Sequence, residues 1–184
     1  MLLQIRRSVV AIVILTAICG IIYPLLMTGL SQWWFPAEAN GSLTSSGSTL
    51  VGQPWKGPDW FLGRPDPDNP MATGGSQLGP TSKALVVAVR EEIKALAKEG
   101  IKNPPADLVT TSGSGIDPDI SPAAALVQVN AVAKARGLSP AAVRKLVLDV
   151  EQGPYLGFLG AATVNVLQLN EALAKLSARS PAGG

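Results

Sequence analysis

Histidine is absent from the 184 residues, and cysteine occurs once, as Cys19. Without histidine the commonest general base and the commonest metal ligand are both missing, which excludes His-dependent catalytic triads and His-bound zinc. One cysteine cannot make an intrachain disulfide, a thiolate zinc cluster or an iron–sulfur site. Aromatics are sparse: beyond Phe61 there are only Tyr155 and Phe158. Charge is missing altogether from residues 8–37, and Arg6 and Arg7 account for the whole formal net charge of +2. The remainder is balanced and has no basic block. Nucleic-acid binding, which needs a concentrated basic surface and often stacking aromatics, is excluded on that ground. Nineteen glycines and 15 prolines are too few for low complexity. The length suits one ordinary domain plus something small.

The small part is N-terminal. Residues 9–30 read VVAIVILTAICGIIYPLLMTGL, which as a helix would be ~33 Å long. That spans a hydrocarbon core of about 30 Å. Trp33, Trp34 and Phe35 follow, as an aromatic belt would. A cleavable signal peptide is the rival reading, because Ala37-Glu38-Ala39 has the A-x-A form. The apolar run exceeds the roughly 7–15 residues of a signal core, however, and that triplet lies far past its end. A retained anchor is therefore expected in residues 1–36. Two arginines precede the span and the next positive charge is Lys56. The positive-inside rule then puts the N-terminus in the cytoplasm and the rest outside. Pro24 is expected to kink the helix, and Gly20, Pro24 and Gly29 to suit close packing against a neighbouring helix. Mid-span Cys19 reads as a small hydrophobe.

Residues 37–48 (AEANGSLTSSGS) form a polar stretch that reads as linker or turn. Beyond it, residues 49–178 are expected to form one compact α+β domain and residues 179–184 a frayed tail. Short strands are expected at residues 49–52, 60–62 and 107–111, with a long loop from Arg64 to Pro80. Leu85, Val89, Ile93 and Leu96 step by four, four and three, giving a helix that Thr81 or Ser82 caps and Gly100 stops. Ser121-Pro122 and Ser139-Pro140 each place serine at N-cap and proline at the first helical position, with stops at Gly137 and Gly153. Asn165 is expected to cap a last helix striped by Val166, Leu169, Leu173 and Leu176.

Three clusters could carry chemistry. The run Ser112-Gly113-Ser114-Gly115-Ile116-Asp117-Pro118-Asp119 leads to a helix start, where free backbone N–H groups can hold an anion. It lacks the P-loop pattern and any nearby lysine, and Asp117 and Asp119 repel anions. A structural turn and a partner or ligand contact both remain open. Gly74-Gly75-Ser76-Gln77 is faintly similar to the Ser-Gly-Gly-Gln signature of ABC ATPases. It also reads as a plain loop needing positive φ at Gly74 or Gly75. Arg64-Pro65 with Asp66, Asp68 and Asn69 reads as a loop salt bridge or a site. No nucleophile–base pair is evident, so no catalytic residue and no metal site are expected.

In order, these stretches resemble one family over nearly the whole chain: the C subunit of the Kdp-type potassium-transporting P-type ATPase. The N-terminal span, Leu50-Val51-Gly52-Gln53, Gly63-Arg64-Pro65, Gly74-Gly75-Ser76-Gln77-Leu78-Gly79-Pro80, the run LVTTSGSGIDPDISPAAA from Leu108, Ala135-Arg136-Gly137-Leu138, and Val164-Asn165-Val166-Leu167 with Leu169-Asn170 carry the resemblance. The Ser-Gly-Ser-Gly-x-Asp-Pro run followed by Ile-Ser-Pro is the specific part. Asp119 stands where the family usually has histidine, Gln77 where asparagine is common, and Asp66 where serine is common. The resemblance implies an accessory subunit of a bacterial inner-membrane complex, not itself an enzyme. A channel-like subunit would carry potassium, and a pump subunit would hydrolyse ATP. The family's C subunit is described as a catalytic chaperone that raises the pump's ATP affinity. It implies Gln53, Arg64, Gly74, Gly75, Ser76, Gln77, Ser112, Gly113, Ser114, Gly115, Asp117, Asp119 and Asn165 as partner or ligand contacts. With the domain outside, opposite the ATP compartment, no tightly bound cofactor is expected on this chain. Capping of the outer potassium entrance follows more naturally. A free-standing anchored binding protein is the alternative.

Overall fold

The computed structural model describes residues 1–67, 69, 71 and 73–179. It divides into two compact units, one over Met1–Leu43 and one from Thr44 on. Asp68 lies outside the described residues, as do residues 180–184 of the expected tail.

The first unit is one continuous helical run, Leu2–Trp34, with a mean hydropathy of 2.7 in its apolar window. It is long and apolar enough to cross a membrane. Helix α1 (Leu2–Ala17) passes through a π-helical turn (Ile18–Ile22) into α2 (Tyr23–Trp34). The run continues through Pro24, where the sequence placed a kink, with a change of winding just before the proline. Proline lacks an N–H and crowds the carbonyl four residues back. The π-turn ends one residue earlier, where the Tyr23 N–H reaches five residues back to Ile18 O, and its wider winding accommodates the ring. Trp33 and Trp34 stack at 5.9 Å. Phe35 leaves the helix, and a single turn, α3 (Pro36–Ala39), follows. The side-chain amides of Gln32 and Asn40 bond each other at 3.0 and 3.2 Å across this corner.

The second unit is mainly helical. Helix α4 (Lys83–Lys98) begins at Ser82, which stands at the N-cap without the expected side-chain hydrogen bond, and the chain turns at Gly100 with φ +86°. Its apolar stripe is only partly used. Leu96 is buried, Leu85 and Val89 are half-buried, and Ile93 is exposed. Leu96 in the last turn is the residue the helix buries, and Val89 packs against the core from mid-helix.

Helix α5 (Pro122–Arg136) buries Ala124, Ala125, Val129, Val132 and Ala133, and its small residues let α6 (Pro140–Val150) approach closely. The serine caps form as expected: Ser121 Oγ accepts from Ala124 N and Ser139 Oγ from Ala142 N. Gly137 closes α5 in the left-handed conformation. Helix α6 ends at Val150 rather than running to Gly153, because Glu151 turns extended (ψ 128°) and Gln152 pairs with Thr163. Helix α7 (Val166–Arg179) packs on α6. Asn165 Oδ1 accepts from Gln168 N at its start. Val166, Leu169 and Leu173 are buried, and Leu176 is half-buried.

The β component is small. Strands β1 (Asp119–Ile120) and β2 (Val164–Asn165) pair antiparallel, Asp119 opposite Asn165 and Ile120 opposite Val164. None of the three expected strands forms. Residues 49–52 make a tight turn on Ser48, which accepts from Leu50 N and Val51 N. Residues 106–108 wind into a 3-10 turn, and Thr110 Oγ1 donates back to Ala106 O at 2.7 Å. Phe61 and Leu62 run outside any strand because side-chain amides replace the partner strand. Asn170 bonds both backbone groups of Phe61 at 2.9 Å, and Gln128 bonds both of Leu62 at 2.7 and 3.1 Å. Gln128 and Asn170 are fully buried within an otherwise apolar core. Each satisfies backbone groups that would otherwise be buried without partners.

Candidate functional site

The three clusters that stand apart in the sequence come together in the second unit. Asp66 is the knot. Its Oδ1 accepts from Ser112 N at 2.6 Å, and its Oδ2 from Ser112 Oγ at 2.6 Å and Asp117 N at 3.1 Å. Ser112 Oγ in turn accepts from Gly115 N at 2.8 Å. The Gly74 loop closes the other side, its N–H donating to Ser114 O at 2.6 Å. Contact between the two loops is backbone on backbone. A Cβ on Gly115, where φ is +72°, would sit 2.5 Å from Gly74 O, and one on Gly75 would sit 3.0 Å from Gly113 O. No side chain fits at Gly115, and one at Gly75 would require the Gly113 backbone to give by a few tenths of an ångström. Positive φ in the second loop falls at Gly74 and Gln77.

Arg64 is half-buried, and its guanidinium is committed to the same cluster. Nη2 donates to Thr110 O and Thr111 O at 3.3 and 3.1 Å, and Nη1 lies 3.8 Å from Asp117 Oδ2. The sequence placed the partner of Arg64 within its own loop; the guanidinium instead faces Asp117, because Asp66 is taken up by backbone and hydroxyl donors. Asp117 Oδ1 accepts from Asp119 N, and Asp119 Oδ1 from Asn165 Nδ2 at 2.9 Å. Asn165 Nδ2 also reaches Thr49 O. Burial raises the pKa of Asp119. The Asn165 hydrogen bond opposes the shift, and the neighbouring Asp117 charge adds to it.

Below the knot lies a cavity of about 350 Å³ between Gln53, Trp55, Arg64, Asp66, Glu92 and Asp117. Gln53 bonds Val51 O. Glu92 carries a raised pKa, first from burial and then from the Glu99 charge. Two buried donors, Trp55 Nε1 and Arg64 Nε, have no partner among the described residues. Nearby, Trp55 and Trp60 pack at 4.8 Å, and the Arg136 guanidinium stacks 4.0 Å over Trp60. Sequence reasoning did not find Glu92, Trp55 or Arg136 as members of this region. They lie far apart in the chain, and no local spacing links them.

The arrangement does little chemically. The Gly115, Gly74, Ser112 and Asp117 N–H groups all have acceptors within the cluster, so they form no open anion cradle. Among the described residues, no three thiol or carboxylate groups converge on a metal position. Ser76, Gln77, Gly113 and Ser114 are exposed on the rim. Gly20 and Gly29 belong to the first unit. A Cβ on Gly20 would meet Thr16 Cγ2 at 3.9 Å, and one on Gly29 would meet nothing within 4 Å.

One helix long and apolar enough to cross a membrane precedes a compact α+β unit whose glycine loops lock each other, the build of a single-span membrane-anchored protein. The family model KdpC, "K+-transporting ATPase, c chain", matches residues 5–175. Relatives described as potassium-transporting ATPase KdpC subunits include one from Bradyrhizobium diazoefficiens, 46% identical over 97% of this chain and 100% of its own length. One from Geobacter sulfurreducens is 46% identical over 92% of this chain and 96% of its own, and one from Klebsiella pneumoniae is 48% identical over 92% and 95%. The chain belongs to the KdpC family and is a subunit of a potassium-transporting ATPase complex.

Proposed function

We propose that this chain is the accessory, non-catalytic subunit of an ATP-driven, high-affinity potassium importer in the bacterial inner membrane. Its N-terminus is cytoplasmic and its α+β unit extracytoplasmic, where it caps the outer potassium entrance. Its partners are a channel-like potassium-translocating subunit and an ATP-hydrolysing P-type pump subunit. Arg6 and Arg7 before a charge-free run support that orientation. Gly20, Pro24 and Gly29 pack the anchor against a partner helix within the bilayer lipid.

One observation carries the reading: the loops of the family motif are closed on one another. The Gly74, Ser112, Gly115 and Asp117 amides are consumed inside the cluster, so the rim of Ser76, Gln77, Gly113 and Ser114 is a contact surface and not a reaction site. In this reading Arg64, Asp117, Asp119 and Asn165 hold the rim in shape, Gln53 lines its base, and any gain in the pump's ATP affinity travels through the membrane helices. ATP titrated onto the full chain in mild detergent should bind with a dissociation constant of about 1 mM or weaker, only ~4 kcal/mol. Micromolar binding overturns the indirect role. Protease added to spheroplasts should digest the unit and leave a small membrane fragment. Complete protection refutes the orientation.

A further inference from the structure

Residues 152–163 form a hairpin between α6 and β2 that packs little of itself away. Gln152 and Thr163 exchange both backbone hydrogen bonds at 2.8 and 2.9 Å, and Tyr155 and Leu159 do the same at 2.9 Å. The Gly157 N–H closes the tip on Pro154 O at 2.9 Å. At the end stand Tyr155, Leu156, Phe158 and Leu159, with relative exposures of 74, 69, 74 and 48%. Leu156 holds φ +54°, a conformation that strains a branched side chain and persists only where its surroundings impose it. Here that strain turns a leucine outward.

We propose that this hairpin tip is a preformed plug that inserts into an apolar pocket on another subunit of the same complex. The proposal rests on the complex-subunit reading above. Three features choose a protein pocket over a lipid surface. The tip is fixed by paired backbone bonds, so its aromatic anchors lose little conformational freedom on docking. No charged residue occurs from Gln152 to Asn170, matching the charge-depleted centre of protein interfaces, where tyrosine and phenylalanine are enriched. The charges just before it, Asp149 and Glu151, are acidic, and no lysine or arginine follows until Lys175. Segments that lie on membranes add basic charge to their apolar face, and this one has acidic flanks instead. The partner pocket is therefore apolar with a neutral or basic rim.

The test places a photo-crosslinking amino acid at Leu156 or at Phe158 of the full-length chain in its membrane complex. After irradiation, adducts are identified by mass. In parallel, Leu156→Asn, which suits the positive φ, and Phe158→Ser are combined, and release of the chain from the detergent-solubilised complex is timed. We expect adducts to another subunit and release accelerated at least about tenfold. The unfolding midpoint of the variant chain should not fall, because both side chains are exposed and asparagine suits the positive φ at residue 156. Adducts only to lipid, only to a second copy of this chain, or none at all, with the other subunits still co-purifying, overturn the proposal. If no other subunit accompanies the parent chain, the complex-subunit reading fails and the plug falls with it.

Discussion

Replacing Gly115 by alanine tests whether the loop cluster is built by backbone contact. The substitution adds one methyl group at a buried position where φ is +72° and where that methyl would lie 2.5 Å from Gly74 O. Holding alanine in the left-handed region costs about 1–2 kcal/mol. Forcing the Gly74 loop away adds an overpacking cost of roughly 1–3 kcal/mol and weakens the Gly74 N–H bond to Ser114 O, now 2.6 Å. A loss of about 3 kcal/mol follows, or roughly 10 °C in the melting temperature of a unit this size. Gly113, two residues earlier, is the matched control, because a Cβ there meets nothing within 4 Å. Gly113→Ala should shift stability by less than about 0.5 kcal/mol. Urea unfolding of the full chain in detergent, followed by tryptophan fluorescence, compares the two. Equal stability of the variants would refute the backbone-contact account.

Asn170→Ala leaves the buried N–H and C=O of Phe61 without partners and should destabilise by about 2–4 kcal/mol; in the same unfolding assay, exposed Gln152→Ala should change little. Asp119 has a raised pKa in the folded chain, so the native state holds its proton to higher pH than the unfolded chain. Its contribution to stability is therefore greatest at low pH and is lost as pH rises through its raised value. Asp119→Asn keeps an oxygen for Asn165 Nδ2 and removes the titration, so its stability relative to the parent should improve between about pH 3.5 and pH 7. An identical difference at both pH values would rule out the carboxyl as the cause. Exchanging residues 9–30 for an unrelated apolar span should lower recovery of the other subunits from membranes; unchanged recovery would make the helix a simple tether.

The starts of α5 and α6 and the end of α5 were readable because they carry their own punctuation. Ser121-Pro122 and Ser139-Pro140 begin helices by local capping chemistry, and Gly137 ends one, with no help from distant residues. The strands were not readable, because the apolar runs at residues 60–62 and 107–111 have the composition of strands but no strand to pair with. What holds Phe61 and Leu62 extended is a pair of amides on helices far along the chain. An isolated Gln or Asn in a helix gives no hint of such a role. The site was legible as three separate loops, and Asp66 looked like a simple departure from the family pattern. Its three accepted hydrogen bonds tie its own loop to the Ser112–Asp117 run, the Gly74 loop joins through its backbone, and that closure depends on tertiary placement alone. The hairpin at residues 152–163 went unseen, since Pro154, Gly157 and Gly160 read as loop and its apolar tip looks like core.

The amide clamps also set an order of events during folding. Gln128 and Asn170 reach back 66 and 109 residues to Leu62 and Phe61, whereas α5, α6 and α7 close through neighbouring turns. Contacts of long sequence separation carry the larger loop-closure entropy and form slowly. The segment around Phe61 can therefore become ordered only after α5 and α7 stand in place to receive it. Trp55 and Trp60 flank that segment, so the last-arriving part of the domain is also its fluorescent one.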